Sequence, residues 1–122
     1  MHSSCEVTLR RVPGAVVLEM QGEIDSSAAI PLQAAYDDAV NALTGELVQR
    51  VVLDFTAVDY INSTGIAVIV GILAQARAAR RVVAASGLSS HYRQIFDITR
   101  LSDFIQMYAD VDDAIATTAP SA

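Results

Sequence analysis

The chain has 122 residues, 52% of them hydrophobic and 18% charged, with a net charge of −6. This composition excludes disorder and predicts a globular domain that buries a core without disulfides or metals. All eight cationic residues are arginines, and only Arg10-Arg11 and Arg80-Arg81 are adjacent. That excludes the basic stripe on which a direct nucleic-acid partner depends.

The first six residues carry no secretory pattern of charged then apolar residues. Cys5 is the only cysteine. It predicts a reducing compartment and reads as a small apolar residue at the first strand. Residues 7–11 and 15–21 read as two strands around a turn at Pro13-Gly14. Val7, Leu9 and Arg11 share one face of the first. In the second, Val16, Leu18 and Met20 alternate with Val17, Glu19 and Gln21. Gly22-Glu23-Ile24-Asp25-Ser26-Ser27 reads as a loop in which Asp25, Ser26 and Ser27 can all cap a helix.

Residues 28–43 read as the first helix, with Pro31 in its opening turn. Ile30, Ala34, Val40 and Leu43 mark its apolar stripe, and Asp37-Asp38 face water. Val51-Val52-Leu53 is the continuous apolar run of a strand covered on both faces. Asp54 ends that strand and Asp59 falls in a turn. Residues 64–80 form the second helix, apolar almost all round in its first half and therefore expected to be deeply packed there. Its strongly apolar stretch, residues 66–73, is far shorter than the roughly 20 residues that span a bilayer. A soluble cytoplasmic protein with no membrane insertion is expected.

Residues 81–85 read as a strand and residues 89–97 as a short helix with Tyr92, Ile95 and Phe96 facing the core. A turn at 99–103, a strand at 104–108 and a helix at 111–116 come next. The tail 117–122 reads as frayed. Strands alternating with helices predict a single α/β domain over residues 1–122, with a core at about 6–116. Its sheet is mixed, because the opening hairpin is antiparallel.

The chemistry concentrates at Asn62-Ser63-Thr64-Gly65. One side-chain oxygen suffices to cap a helix, and here three small polar residues stand in a row. They stand at the electropositive end of a helix, where phosphate is well tolerated. A small serine hydrolase is the enzyme alternative, since Ser63 follows a strand and precedes a helix as in a nucleophile elbow. Ile61 occupies the place of the elbow's glycine, and only His2 or His91 could serve as base. No metal-ligand spacing occurs, and Asp112-Asp113 reads as a helix-start cluster. The chain has no lysine with which to complete a phosphate loop. No cofactor and no metal are expected.

These residues resemble the STAS domain of bacterial anti-sigma factor antagonists. Val51-Val52-Leu53-Asp54, then Asp59-Tyr60-Ile61, then Asn62-Ser63-Thr64-Gly65-Ile66 match its central strand–loop–helix signature. Gly22-Glu23-Ile24-Asp25 matches a second signature and Ile95-Phe96-Asp97-Ile98-Thr99-Arg100-Leu101 a third. The resemblance implies a four- or five-stranded mixed sheet covered by about four helices. It implies a regulatory binding protein, not an enzyme, with Ser63 as phosphoacceptor and Asp25, Asn62, Thr64 and Gly65 at the partner-binding surface. The implied partners are an anti-sigma factor that is itself a GHKL-type serine kinase, and a metal-dependent serine phosphatase. The family usually carries Asp where this chain has Asn62, which keeps the cap geometry and drops a charge. Some STAS domains are non-phosphorylated scaffolds or transporter-associated subunits, which is the alternative function.

Overall fold

β1 (Glu6–Val12) turns at Gly14, with φ 79°, and pairs antiparallel with β2 (Ala15–Ile24). The computed structural model describes residues 5–116, so the tail expected to fray at 117–122 and the candidate base His2 lie outside the described residues. β3 (Arg50–Ile61), β4 (Val82–Ser86) and β5 (Gln106–Tyr108) join in parallel, in the spatial order β1-β2-β3-β4-β5. Between the parallel strands run α1 (Ala29–Ala42), α2 (Ser63–Ala78) and α3 (Ser90–Ile98), and α4 (Val111–Ala116) comes after β5. This is the expected α/β fold with a five-stranded mixed sheet and four helices.

The strand order never reverses after β2. Right-handed crossovers that step in one direction deliver every crossover helix to the same face. The packing has that form. Leu18, Met20, Leu53 and Phe55 lie in one cluster with Leu32, Tyr36, Ile69, Ile72 and Phe96 of α1, α2 and α3. On the other face Val17, Val52 and Ala84 meet Ala114 of α4. A sheet without a reversal also lacks the crevice in which doubly wound folds bind ligands.

Five sequence expectations are corrected. The segments 22–24 and 59–61 are strand, not loop: Gly22 pairs with Val58, Glu23 with Tyr60 and Ile24 with Ile61. Register shifts at Glu19/Gln21 and Gly22/Glu23 place an extra β3 residue at each break, and Gly22 takes φ 94°. Bulges of this kind interrupt the alternation by which strands are read. Asp54 is consequently not the end of its own strand; it is the last β3 residue paired with β4, opposite Ser86.

The stripe of α1 is rotated. Leu32, Ala35, Tyr36, Ala39 and Leu43 are buried, while Ile30 is 83% exposed and Ala34 faces solvent. Leu32/Ala39 and Tyr36/Leu43 each repeat at two turns, and that spacing sets the face. In α2 only Gly65, Ile69, Ile72, Leu73 and Ala76 are buried. Ala67 and Val70 are exposed, because no layer covers the outer side of the helix. Finally, Phe104 precedes β5 and lies half-exposed beside the short 3₁₀ turn Leu101–Asp103.

Candidate functional site

Ile24 and Ile61 are the last paired residues of β2 and β3, and the strands are parallel. Asp25 and Asn62 therefore leave the sheet side by side, and each caps the helical turn that begins just after it. Asp25 Oδ1 accepts from the backbone N–H of Ser27 at 2.9 Å and from the Ser27 hydroxyl, opening the 3₁₀ turn Ser26–Ala28. Asn62 Oδ1 accepts from the backbone N–H of Gly65 at 2.8 Å, opening α2. The backbone N–H of Asn62 itself donates to the carbonyl of Ile24 at 3.2 Å and locks the two loops together.

Gly65 is required by this junction. A Cβ there would stand 1.9 Å from the Ile24 carbonyl oxygen and 2.6 Å from its carbon. The first turn of α2 rests directly on the β2 backbone, and only glycine lets it come so close.

The three polar residues divide their work. Asn62 is the cap. The Thr64 hydroxyl donates to the same Asn62 Oδ1 at 2.8 Å. Ser63 is exposed, and among the described residues its hydroxyl has no hydrogen-bond partner. No acidic residue lies in the first turn of α2 itself, where the positive end of the helix dipole favours an anion.

Sequence reasoning missed three neighbours of this surface. Tyr60, 53% exposed, is the next-to-last residue of β3, and Ile30, 83% exposed, lies in the first turn of α1; both lie at the end that carries Ser63. The third is Tyr92, read only as a core residue. β4 stops pairing at Ser86, so the end of β3 has one open edge, and the Tyr92 hydroxyl closes it by accepting from the Ile61 N–H at 2.9 Å. Nothing local in the sequence marks that bond, since the partners are 31 positions apart. The Asp54 carboxylate has a similar structural task, receiving the Thr56 N–H at 3.1 Å, the Thr56 hydroxyl at 2.6 Å and the buried Ser86 hydroxyl at 3.3 Å.

Hydrolase geometry is not assembled among the described residues. His91 is exposed on α3 with its ring against Tyr92, and no hydrogen bond joins it to Ser63. Among the described residues no cluster of three metal-ligating side chains occurs, and no helix is long and apolar enough to cross a membrane.

Comparison with known proteins shows the family. Residues 6–114 match the family model of the STAS domain. The chain is 29% identical to a protein described as the putative anti-sigma factor antagonist BtrV of Bordetella bronchiseptica, over 93% of this chain and 92% of that one. It is 35% identical to the anti-sigma-B factor antagonist of Listeria monocytogenes, over 70% of this chain and 72% of that one. In fold it is similar to an anti-sigma factor antagonist from Mycobacterium paratuberculosis (TM-score 0.73, 20% identity, 95% of this chain and 97% of that one). It is likewise similar to the Bacillus cell fate determinant SpoIIAA in its phosphorylated form (TM-score 0.65, 18% identity, 93% and 99%). The chain belongs to the STAS domain family of anti-sigma factor antagonists.

Proposed function

We propose that this protein is a phosphorylation-switched antagonist that docks on an anti-sigma factor through the surface formed by Asp25, Asn62, Thr64 and Gly65, with Ser63 as the phosphoacceptor. The partner is a serine kinase of the GHKL type, and a serine phosphatase restores the binding form. The cytoplasm is the compartment in which such a partner works. The protein itself performs no catalysis.

The observation that carries this reading is the division of labour at the start of α2. Asn62 supplies the cap, Thr64 gives its hydroxyl proton to Asn62, and Ser63 keeps an exposed hydroxyl with no partner among the described residues. A residue needed only for capping would have its oxygen on a backbone N–H. Exposed apolar surface at Tyr60 and Ile30 adds material for a protein contact at the same end.

The deciding experiment is a pulldown with the purified protein, followed by mass spectrometry and by a phosphorylation assay with the captured kinase. Recovery of a GHKL kinase that labels wild type but not Ser63→Ala supports the switch. Recovery of a transport ATPase or a large signalling assembly, without labelling, transfers the protein to the scaffold or transporter-subunit class.

A further inference from the structure

The far end of α2 carries a second surface that the switch does not use. Residues 77–100 contain Arg77, Arg80, Arg81, Arg93 and Arg100 against one carboxylate, Asp97, in a chain of net charge −6. Of these, Arg77 borders an apolar hollow of about 180 Å³, floored by Val70, Leu73, Leu101 and Phe104. A cavity of about 150 Å³ accommodates benzene, so this one has room for a single aliphatic or aromatic side chain.

Phe104 is 48% exposed and Val70 41%. The Arg77 guanidinium stands over the Phe104 ring, 4.7 Å from its centroid. Beyond that ring is a second hollow of about 370 Å³, bordered by Arg81, Arg93 and Asp103. Arg81 is committed to Gln49 at 2.7 Å and Tyr36 at 3.3 Å. Among the described residues no carboxylate lies within ion-pair distance of Arg77 or Arg93. Cations left unpaired around exposed apolar side chains, on a protein rich in carboxylates, are complementary to an acidic amphipathic ligand.

We propose that this end of α2 is a docking surface for an acidic segment of a partner protein. An apolar side chain of that segment enters the hollow beside Phe104, and its flanking carboxylates meet Arg77 and Arg93. The surface is offset along α2 from the phosphorylation site: Arg77 is 14 positions from Ser63, about 21 Å at 1.5 Å per residue, and Val70, the nearest residue of the hollow, is 7 positions away, about 10 Å. An acidic segment held there leaves the Ser63 surface free for another partner.

The test is selection from a phage-displayed library of random peptides on the wild-type chain, with counter-selection on Phe104→Ala. The expected winners carry Asp or Glu on both sides of a Leu, Ile, Phe or Met. A synthetic winner should shift the amide resonances of Val70, Leu73 and Leu101 and leave those of Ser63 and Thr64 in place. Its affinity should fall about tenfold or more in Arg77→Glu/Arg93→Glu, the equivalent of about 1.4 kcal/mol. Both arginines are exposed, so charge reversal leaves the fold intact, and circular dichroism checks that. Winners without acidic residues, shifts centred on Ser63, or concentration-dependent shifts of the same patch without peptide would each overturn the proposal, the last by assigning the patch to a second copy of the chain.

Discussion

The carbonyl oxygen of Ile24 and the α-carbon of Gly65 are packed so closely that a methyl group cannot come between them. A Cβ built on Gly65 would sit 1.9 Å from that oxygen, and the oxygen already accepts the Asn62 N–H. Neither partner is the free end of a flexible side chain. Gly65→Ala must therefore lift the start of α2 off the sheet. Overpacking typically costs about 1–3 kcal/mol, and this site belongs at the upper end because backbone has to move. A urea melt measures it; a change under about 0.5 kcal/mol would show that the junction is loose.

Neighbouring residues on α2 should differ sharply. Ile69 is fully buried between helix and sheet, whereas Val70 faces outward. Ile69→Ala should cost about 2–5 kcal/mol. Val70→Ala should fall within about 0.5 kcal/mol of wild type. Equal effects in parallel melts would mean that the buried face has been misassigned.

That pair also shows how far the sequence could be read. The run Val51-Val52-Leu53 and the residues after Asn62 were legible because a doubly covered strand and a capped helix leave continuous local patterns. The side of α2 left bare was not legible, because all-round apolarity does not say how many layers surround a helix. The strand ends at Ile24 and Ile61 were hidden by bulges and by loop-like residues such as Gly22 and Asp59. At the site, the three polar residues were visible, but not which of them caps. That depends on the Asn62 carboxamide oxygen reaching both Gly65 and Thr64, a matter of geometry that composition does not carry.

Asn62→Ala removes both of those hydrogen bonds. The lost cap should cost about 0.5–2 kcal/mol in a thermal or urea melt. Asn62→Asp presents the same acceptor oxygen and should restore the loss, with the added anion favoured at the helix N-terminus. If Asp fails to rescue, the cap is not the source of the effect.

Cys5 gives a pH signature. Burial pushes its thiol pKa up, and the charges of Asp25 and Glu6 add to that rise, against a lowering by a backbone hydrogen bond from Gln21. A folded pKa above the unfolded one means that the folded state holds its proton more tightly. The stabilisation is then fully present below the unfolded value of about 8.5 and is lost as pH rises through the folded pKa. Melts of wild type should weaken above about pH 8.5 relative to Cys5→Ala. The folded thiol should react with Ellman's reagent far more slowly than the urea-unfolded one. Equal rates would place the thiol at the surface.

The switch proposed at Ser63 makes the sharpest demand, because phosphate has to disturb binding without disturbing the fold. Ser63 opens α2, its hydroxyl is exposed, and the first turn carries no acidic side chain. The dipole and the free N–H groups of that turn favour an anion, so the phosphorylated chain should melt within about 1 kcal/mol of the unmodified one. Phosphorylation adds about −1.5 to −2 charge at neutral pH. Against a docked partner that charge must shed water without a built counter-ion, which is costly. A penalty of about 2.8 kcal/mol lowers affinity a hundredfold and suffices for a switch. Ser63→Ala should lose labelling by the captured kinase and keep binding it. Thr64→Ala should retain labelling, because the Thr64 hydroxyl serves Asn62 and not the acceptor role. Titration calorimetry of both forms against the kinase, with mass-spectrometric mapping of the phosphate, decides the matter. Phosphate on Thr64, or equal affinity of the two forms, would remove Ser63 from the mechanism and leave the protein as a constitutive scaffold.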